Sequence, residues 1–209
     1  PYINEKERQE ERLRVEVKKR EEAKRRNDLA FKAAEKARKI IQASNLASHL
    51  NTYCLRKKIY PVGAFENENG LVIPLFNKFG ELVNIQAIAK DGSKKFLYGG
   101  LKKGCFFELT RKDSEDIIYI CEGYATGVSL FTHYDCNVVI AFDAGNLVPV
   151  AVNIRNMYPQ NKIVIAADND ASGVGEKKAK EACRAIGCNY MIPPAVGNDF
   201  NDYINFAAL

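Results

Sequence analysis

The sequence predicts an α/β protein in which a parallel sheet of about four strands, flanked by helices, follows a small antiparallel β-rich subdomain and a long N-terminal helix. Three observations predict it. Residues 3–42 contain no Gly or Pro and are dense in Glu, Lys, Arg and Ala, a composition that favours helix. Residues 70–108 are short apolar runs separated by turn residues. From residue 113 onward, apolar runs without polar alternation take turns with helical patterns, as in a parallel sheet covered on both faces. The expected units are 1–44, a charged helix or linker; 45–112, a basic α+β subdomain; and 113–209, the α/β domain.

The first half of the N-terminal helix is polar nearly all round, with Leu13, Val15 and Val17 as its large apolar residues. Leu29, Ala30, Ala33, Ala34, Ala37, Ile40 and Ile41 then form a stripe at helical spacing. The charged half fits a solvated linker or, second, a basic arm on nucleic acid. Residues 45–60 suggest a short helix and a turn at Tyr60-Pro61-Val62-Gly63. Leu71–Phe76, Leu82–Ala89, Lys94–Tyr98 and Cys105–Leu109 are predicted as four strands of an antiparallel meander, with turns at Asn77–Gly80 and Asp91-Gly92. In the last unit, strands are expected at Ile117–Cys121, Asn137–Phe142, Lys162–Ala167 and Asn189–Ile192. Helices are expected at Thr126–Tyr134, about Leu147–Tyr158, and Gly175–Ile186.

The net charge of +5 conceals an uneven distribution. Residues 1–39 hold 14 Lys/Arg against 9 Asp/Glu, residues 40–112 hold 11 against 5, and residues 113–209 hold 6 against 12. A basic half is joined to an acidic one, the combination that suits phosphates beside divalent cations. No run of 18 apolar residues is present and the N-terminus is charged, so neither a membrane span nor a secretory signal is expected. The chain starts at Pro1 and stops at Ala207-Ala208-Leu209, and reads as a piece of a longer protein. Six cysteines (54, 105, 121, 136, 183 and 188) form no Cys-x-x-Cys pair, and His49 and His133 are the only histidines. The expectation is reduced, mostly buried thiols and no zinc in this piece.

In an open parallel sheet, ligands bind beyond the carboxyl ends of the strands. The four predicted strands are followed by Glu122-Gly123, by Asp143-Ala144-Gly145-Asn146, by Asp168-Asn169-Asp170, and by Asn198-Asp199-Phe200-Asn201-Asp202. Six acids are thus delivered to one rim with no Lys or Arg among them in sequence. Clustered carboxylates repel one another and raise each other's pKa values unless a cation neutralises them. Oxygen ligands in this number suit Mg²⁺ or Mn²⁺. Asp168 and Asp170, two apart, point the same way if strand geometry persists. Asp143 and Asp199 have helix-capping or turn roles as alternatives. Upstream, Lys94, Lys95, Lys102 and Lys103 flank Gly99-Gly100 and Gly104, and Arg56-Lys57-Lys58 makes a second basic spot. These are candidates for nucleotide or DNA phosphates, with Phe96 and Tyr98 as candidate base platforms; Phe106 and Phe107 fit a core better.

These motifs carry a family resemblance. The glutamate and glycine after the first strand and the Asp-x-Asp after the third resemble the Toprim domain of primases, topoisomerases and some nucleases. Glu122-Gly123-Tyr124-Ala125-Thr126, Ala141-Phe142-Asp143-Ala144-Gly145-Asn146-Leu147, Ile165-Ala166-Ala167-Asp168-Asn169-Asp170 and Asp199-Phe200-Asn201-Asp202 are similar to the motifs of satellite-phage alpha-type primases and conjugative-plasmid transfer primases. Ile73-Pro74-Leu75 and Gly92-Ser93-Lys94-Lys95-Phe96-Leu97 resemble the segment that precedes Toprim in those proteins. The resemblance implies a catalytic core that makes short RNA primers on single-stranded DNA from ribonucleoside triphosphates with Mg²⁺ or Mn²⁺. Glu122, Asp168 and Asp170 would be catalytic. The same three, with Asp199 and Asp202, would hold metal, and Gly123, Asp143 and Asn146 would support them. It also implies a bacterial cytoplasmic setting on a phage, plasmid or related element, and a replicative helicase in trans or on a missing part of the chain. Thr126 departs from replicative bacterial primases, which have an acid there. Other Toprim enzymes, such as nuclease or topoisomerase pieces, and a non-catalytic nucleic-acid-binding module are the alternatives; the basic strands upstream favour a primase.

Overall fold

The computed structural model describes residues 5–111 and 116–207. The expected helix beginning at residue 3 and the expected boundary at 112/113 therefore fall partly outside the described residues. Helix α1 runs Glu5–Gln42 and is followed by β1 (Asn45–Leu46), α2 (Thr52–Lys57), β2 (Phe65–Asn67), β3 (Gly70–Phe76), β4 (Leu82–Ala89) and β5 (Lys94–Phe96). The five strands form an antiparallel sheet in that order. The apolar stripe of α1 covers it: Ala37 packs with Val72 and Ile85, and Ile40 and Ile41 adjoin them. Leu13, Val15 and Val17 stay exposed. Pro74, which cannot donate a ladder hydrogen bond, lies beyond Val72, where β2 has already ended.

The chain then passes through β6 (Phe107–Leu109), β7 (Ile117–Cys121), α3 (Tyr124–His133) and β8 (Asn137–Ile140). It continues through α4 (Leu147–Met157), β9 (Lys162–Ala166), α5 (Val174–Ile186), β10 (Asn189–Met191) and α6 (Phe200–Ala207). Strands β10, β9, β7 and β8 are parallel neighbours, as expected of the last unit. The expected fourth meander strand behaves otherwise. Residues 107–109 leave the first sheet and pair antiparallel with β8, closing the edge of the second, while Phe106 keeps one bridge back to Phe76. Phe106, Phe107 and Leu109 are buried there; an unpaired β8 edge would leave backbone groups without partners next to an apolar core.

Period-two alternation divides the apolar strands between two layers. Ile118, Ile120, Ile163 and Ile165 pack with Leu147, Ile154 and Ala179 of α4 and α5. Cys121 and Ala166 face the opposite layer with Tyr124, Leu130 and Phe131 of α3 and Leu75 of the first sheet. Ile120 is 0% exposed; truncating such a side chain to Ala costs about 2–5 kcal/mol. The second layer therefore glues the two sheets together through shared apolar surface. Among the described residues no helix is long and apolar enough to cross a membrane.

Candidate active site

Parallel pairing puts the ends of β7, β8, β9 and β10 on one edge of the sheet. Cys121 pairs with Ala166 and with Ile140, so the next residues of β7 and β9 leave the sheet side by side. The chain also reverses direction around β7, with β8 on one side and β9 on the other, which opens a crevice there. Glu122 and Asp168 stand in it.

Both acids are short of partners. Glu122 Oε1 and Asp168 Oδ1 are buried without a hydrogen bond, where an ionised oxygen is costly. Burial, then the charges of Asp168, Asp170 and Asp143, pushes Glu122 up to about 7, against a weaker pull from the Ala144 amide. Burial, then Asp199, pushes Asp168 up to about 6, opposed by Lys94 and Lys57.

Asp170 is held differently. Its Oδ1 accepts the Ser172 amide at 2.9 Å and the Ser172 hydroxyl, and its Oδ2 accepts the Gly175 amide at 2.8 Å. These donors, the Ser172 hydroxyl first, hold its carboxyl down at about 2. Strand geometry ends at Ala166, so Asp170 does not simply repeat the direction of Asp168; it caps the first turn of α5. Gly175 makes that convergence possible. A Cβ there would lie 2.6 Å from the Asp168 carbonyl oxygen, 3.0 Å from Asp170 Oδ2 and 3.3 Å from Glu122 Oε1. We predict that Gly175→Ala lowers stability by about 1–3 kcal/mol, because the closest obstacle is backbone. Gly123→Ala, whose nearest neighbour would be Thr126 Oγ1 at 3.6 Å, is expected to stay within about 1 kcal/mol of the parent. Equal melting temperatures for the two variants would refute the cradle.

The cations missing from the rim in sequence arrive from α2, from β5 and from the loop that follows β5. Lys57 Nζ lies 3.4 Å from Asp199 and 3.5 Å from Asp202. Lys102 Nζ lies 2.6 Å from Asp143. Lys94 is exposed as a residue, yet its ammonium would be 3.9 Å from a Cβ on Gly123. Burial of that end lowers its pKa, with Asp168 opposing. Lys95 and Lys103 point to solvent, and Arg56 donates to the Lys90 carbonyl at 3.2 Å. Tyr98 is 84% exposed, whereas Phe96 packs edge-on against Phe142 at 5.9 Å.

Side-chain hydrogen bonds to backbone hold these basic segments over the acids. Asn146, 2% exposed, accepts the Gly104 amide at 2.7 Å and donates to the Cys105 and Ala141 carbonyls. Asp143 caps the turn leading to it, accepting the Asn146 amide at 3.0 Å. Buried Asn201 donates to the Lys57 carbonyl and to Ser129 Oγ. Tyr124 OH accepts the Val62 amide at 2.8 Å and donates to the Val62 carbonyl at 3.0 Å. Gly175, Asn201 and the Tyr124 hydroxyl escape a reading by strand ends. Asn201 and Tyr124 lie inside the motifs Asp199-Phe200-Asn201-Asp202 and Glu122-Gly123-Tyr124-Ala125-Thr126, their one signal in sequence; the part played by Gly175 is visible only through its contacts in the fold.

A divalent cation fits the chemistry of the donors, since two buried carboxylate oxygens have no other partner. They are not gathered into a closed cage: among the described residues no three His, Cys, Asp or Glu side chains stand together as a ligand set. Asp170 is turned onto α5, and Asp199 and Asp202 are drawn toward Lys57.

Residues 117–207 match the Toprim domain family. Two proteins of Escherichia coli named DNA primase TraC are 34% and 32% identical to this chain over 131 residues, 58% of its length. The match spans 12% and 9% of those relatives, so the chain covers only about a tenth of their length. In fold, it resembles the primase fragment of the bacteriophage T7 primase-helicase protein, with a TM-score of 0.57 and 17% identity over 73% of this chain and 69% of that one. A DNA primase domain from Pseudomonas aeruginosa aligns with a TM-score of 0.51 and 17% identity, over 68% of this chain and 49% of the other.

Proposed function

We propose that this chain, whose residues 117–207 match the Toprim domain family and which resembles two DNA primases over 58% of its length, is a primase catalytic core that joins ribonucleotides on a single-stranded DNA template. The observation that carries this reading is the pair of buried, unpartnered carboxylate oxygens of Glu122 and Asp168, with Lys94 of the preceding sheet and Lys57 of α2 acting on Asp168. A binding module has no use for so costly a pair. Phosphoryl transfer does, because it needs carboxylates to hold a cation and ammonium groups to hold phosphates.

In this reading Glu122, Asp168 and Asp170 hold Mg²⁺ or Mn²⁺, with Asp199 and Asp202 extending the site. Bound there, the ion would neutralise charge on the triphosphate and on the attacking and leaving oxygens. Glu122, at the end of β7, serves near the attacking 3′-hydroxyl of the growing primer as a ligand of the ion or as the base that takes the hydroxyl proton. Lys94 is placed by Gly123 at the start of α3, where a phosphate gains from the ammonium and the helix amides together. Lys57 and Lys102 balance the outer acids and keep them from repelling the incoming polyanion. The solvent-facing Lys95 and Lys103 are placed to meet the template backbone, and a replicative helicase is the partner that such a core would serve.

The direct test is incorporation of labelled ribonucleotides on single-stranded templates with each metal in turn. Products of a few nucleotides that need template, metal and Glu122 are the expected result; metal-dependent strand cleavage without synthesis would move the chain to a nuclease role. The double substitution Lys94→Ala with Lys95→Ala is expected to weaken template binding about 10-fold or more at low salt. It should also flatten the logarithmic salt dependence by about 0.7 for each phosphate no longer neutralised. An unchanged slope would leave those lysines as surface groups on a short edge strand.

A further inference from the structure

Beside the rim, between α2 and α6, the surface opens into a hollow of about 540 Å³, a volume that suits a nucleotide-sized ligand. Arg56 and Lys58 stand on its α2 side, Asn205 and Phe206 on its α6 side, and Asp202 at the end nearest the acids. Lys57 also lines it, its ammonium engaged by Asp199 and Asp202 and its carbonyl accepting Asn205 Nδ2 at 3.2 Å. Cations outnumber acids in the lining, and Lys58 makes no ion pair among the described residues. Phe206 is 75% exposed, which leaves an aromatic face open to the hollow.

Lys58 also has an unusual backbone. It ends α2 in the left-handed region, at φ 53 and ψ 46, with its amide turned back to the Cys54 and Leu55 carbonyls. Glycine closes a helix there with less strain than any side chain. A lysine at this position lowers stability relative to glycine while lining the hollow with a cation, the kind of local cost that accompanies function.

We propose that the hollow seats one nucleoside phosphate unit of a single strand, with the phosphate against Lys58 and Arg56 and the base on Phe206. Asn205 keeps its Oδ1 and one N–H for a base edge. Neither Glu122 nor Asp168 lines the hollow. Its occupant is therefore a neighbour of the reacting nucleotide and belongs to the strand that passes the rim. The assignment rests on the reading of this chain as a nucleic-acid enzyme and adds to it a place where the strand is gripped.

The test is fluorescence anisotropy of labelled oligodeoxynucleotides in EDTA across a salt series, with melting curves of the same samples. Lys58→Gly is expected to melt higher than the parent, yet to bind about 3–10-fold more weakly, with a salt slope smaller by about 0.7. Lys58→Arg should restore the slope. Phe206→Ala should lose about 10-fold on a normal oligonucleotide and little on an abasic one of equal length. A more stable Lys58→Gly with unchanged affinity and slope would overturn the proposal, as would equal losses by Phe206→Ala on both strands. If a free mononucleotide binds the parent but not Phe206→Ala and leaves the strand bound, the hollow takes mononucleotides and the strand assignment fails. A parent chain that binds no oligonucleotide at all would remove the nucleic-acid reading itself, a result distinct from failure of the hollow alone.

Discussion

Glu122→Gln is expected to fold, to lose primer synthesis by about 10³-fold or more, and to melt no lower than the parent at pH 8 without metal. Gln keeps the shape of the side chain and removes its charge. In the parent that charge is confined where Oε1 is buried and unpartnered and where Asp168, Asp170 and Asp143 oppose it. Removing it relieves the resting protein. A carboxylate that holds the cation or receives a proton has no substitute in an amide, so the cost falls on the reaction. Steady-state incorporation assays and melting curves on one preparation check both halves. A variant with parental activity would strip Glu122 of its role. One that melted well below the parent would show the carboxylate to be structural.

The second large effect is expected from divalent metal, and its dependence on pH is set by the same two acids. Glu122 titrates near 7 and Asp168 near 6, both above their ordinary values. A carboxyl raised in the folded state contributes stability that is complete below its unfolded pKa and is lost as pH rises through its folded pKa. Without metal, stability from these two groups should therefore decline between about pH 5 and pH 8. Asp170, held near 2, is ionised throughout that window and contributes a constant amount. Millimolar Mg²⁺ or Mn²⁺ should raise the melting temperature, since a ligand that binds only the folded state stabilises by about 2.7 kcal/mol at 100 times its Kd. The rise should be larger at pH 8 than at pH 5, where the ion must displace protons. It should also shrink in Glu122→Gln. Differential scanning fluorimetry across pH, with and without metal, reads all three. An upward drift of metal-free stability from pH 5 to pH 8, or no shift with metal at either pH, would contradict the site.

Much of this architecture is readable because it rests on local grammar. The parallel strands of the second sheet are runs of Ile and Val without polar alternation, and only burial on both faces accounts for such runs. The rim acids follow from them, since each parallel strand end delivers the next residues to the same edge. Other elements have no such mark. Strands β1 and β2 are two and three residues long and contain Asn and Glu; pairing alone makes them strands. Residues 107–109 have the pattern of a further meander strand, and nothing in Phe-Glu-Leu says which of two sheets will take it. The short helix α6 holds most of the Asp199-Phe200-Asn201-Asp202 motif, whose acids stand out in sequence, yet nothing in that motif shows that the helix packs against α3.

The amino-acid sequence by itself determined the strand ends and the carboxylates beyond them, because direction along a parallel sheet decides which residues reach the ligand edge. It also determined that a basic segment precedes an acidic one. Only the tertiary structure decided how the two halves meet. It brought Lys57 to Asp199, 142 positions away, and Lys102 to Asp143, 41 positions away. It set Lys94 within reach of the Asp168 charge. Asn146, Asn201 and Tyr124 hold these halves together, each gripping backbone on the other side. The fold also turned Asp170 onto the first turn of α5 and left Glu122 and Asp168 with buried oxygens that have no partner. The reason is physical: alternation and strand direction are properties of neighbouring residues, whereas the solvation and pairing of a charge depend on every group the fold packs around it.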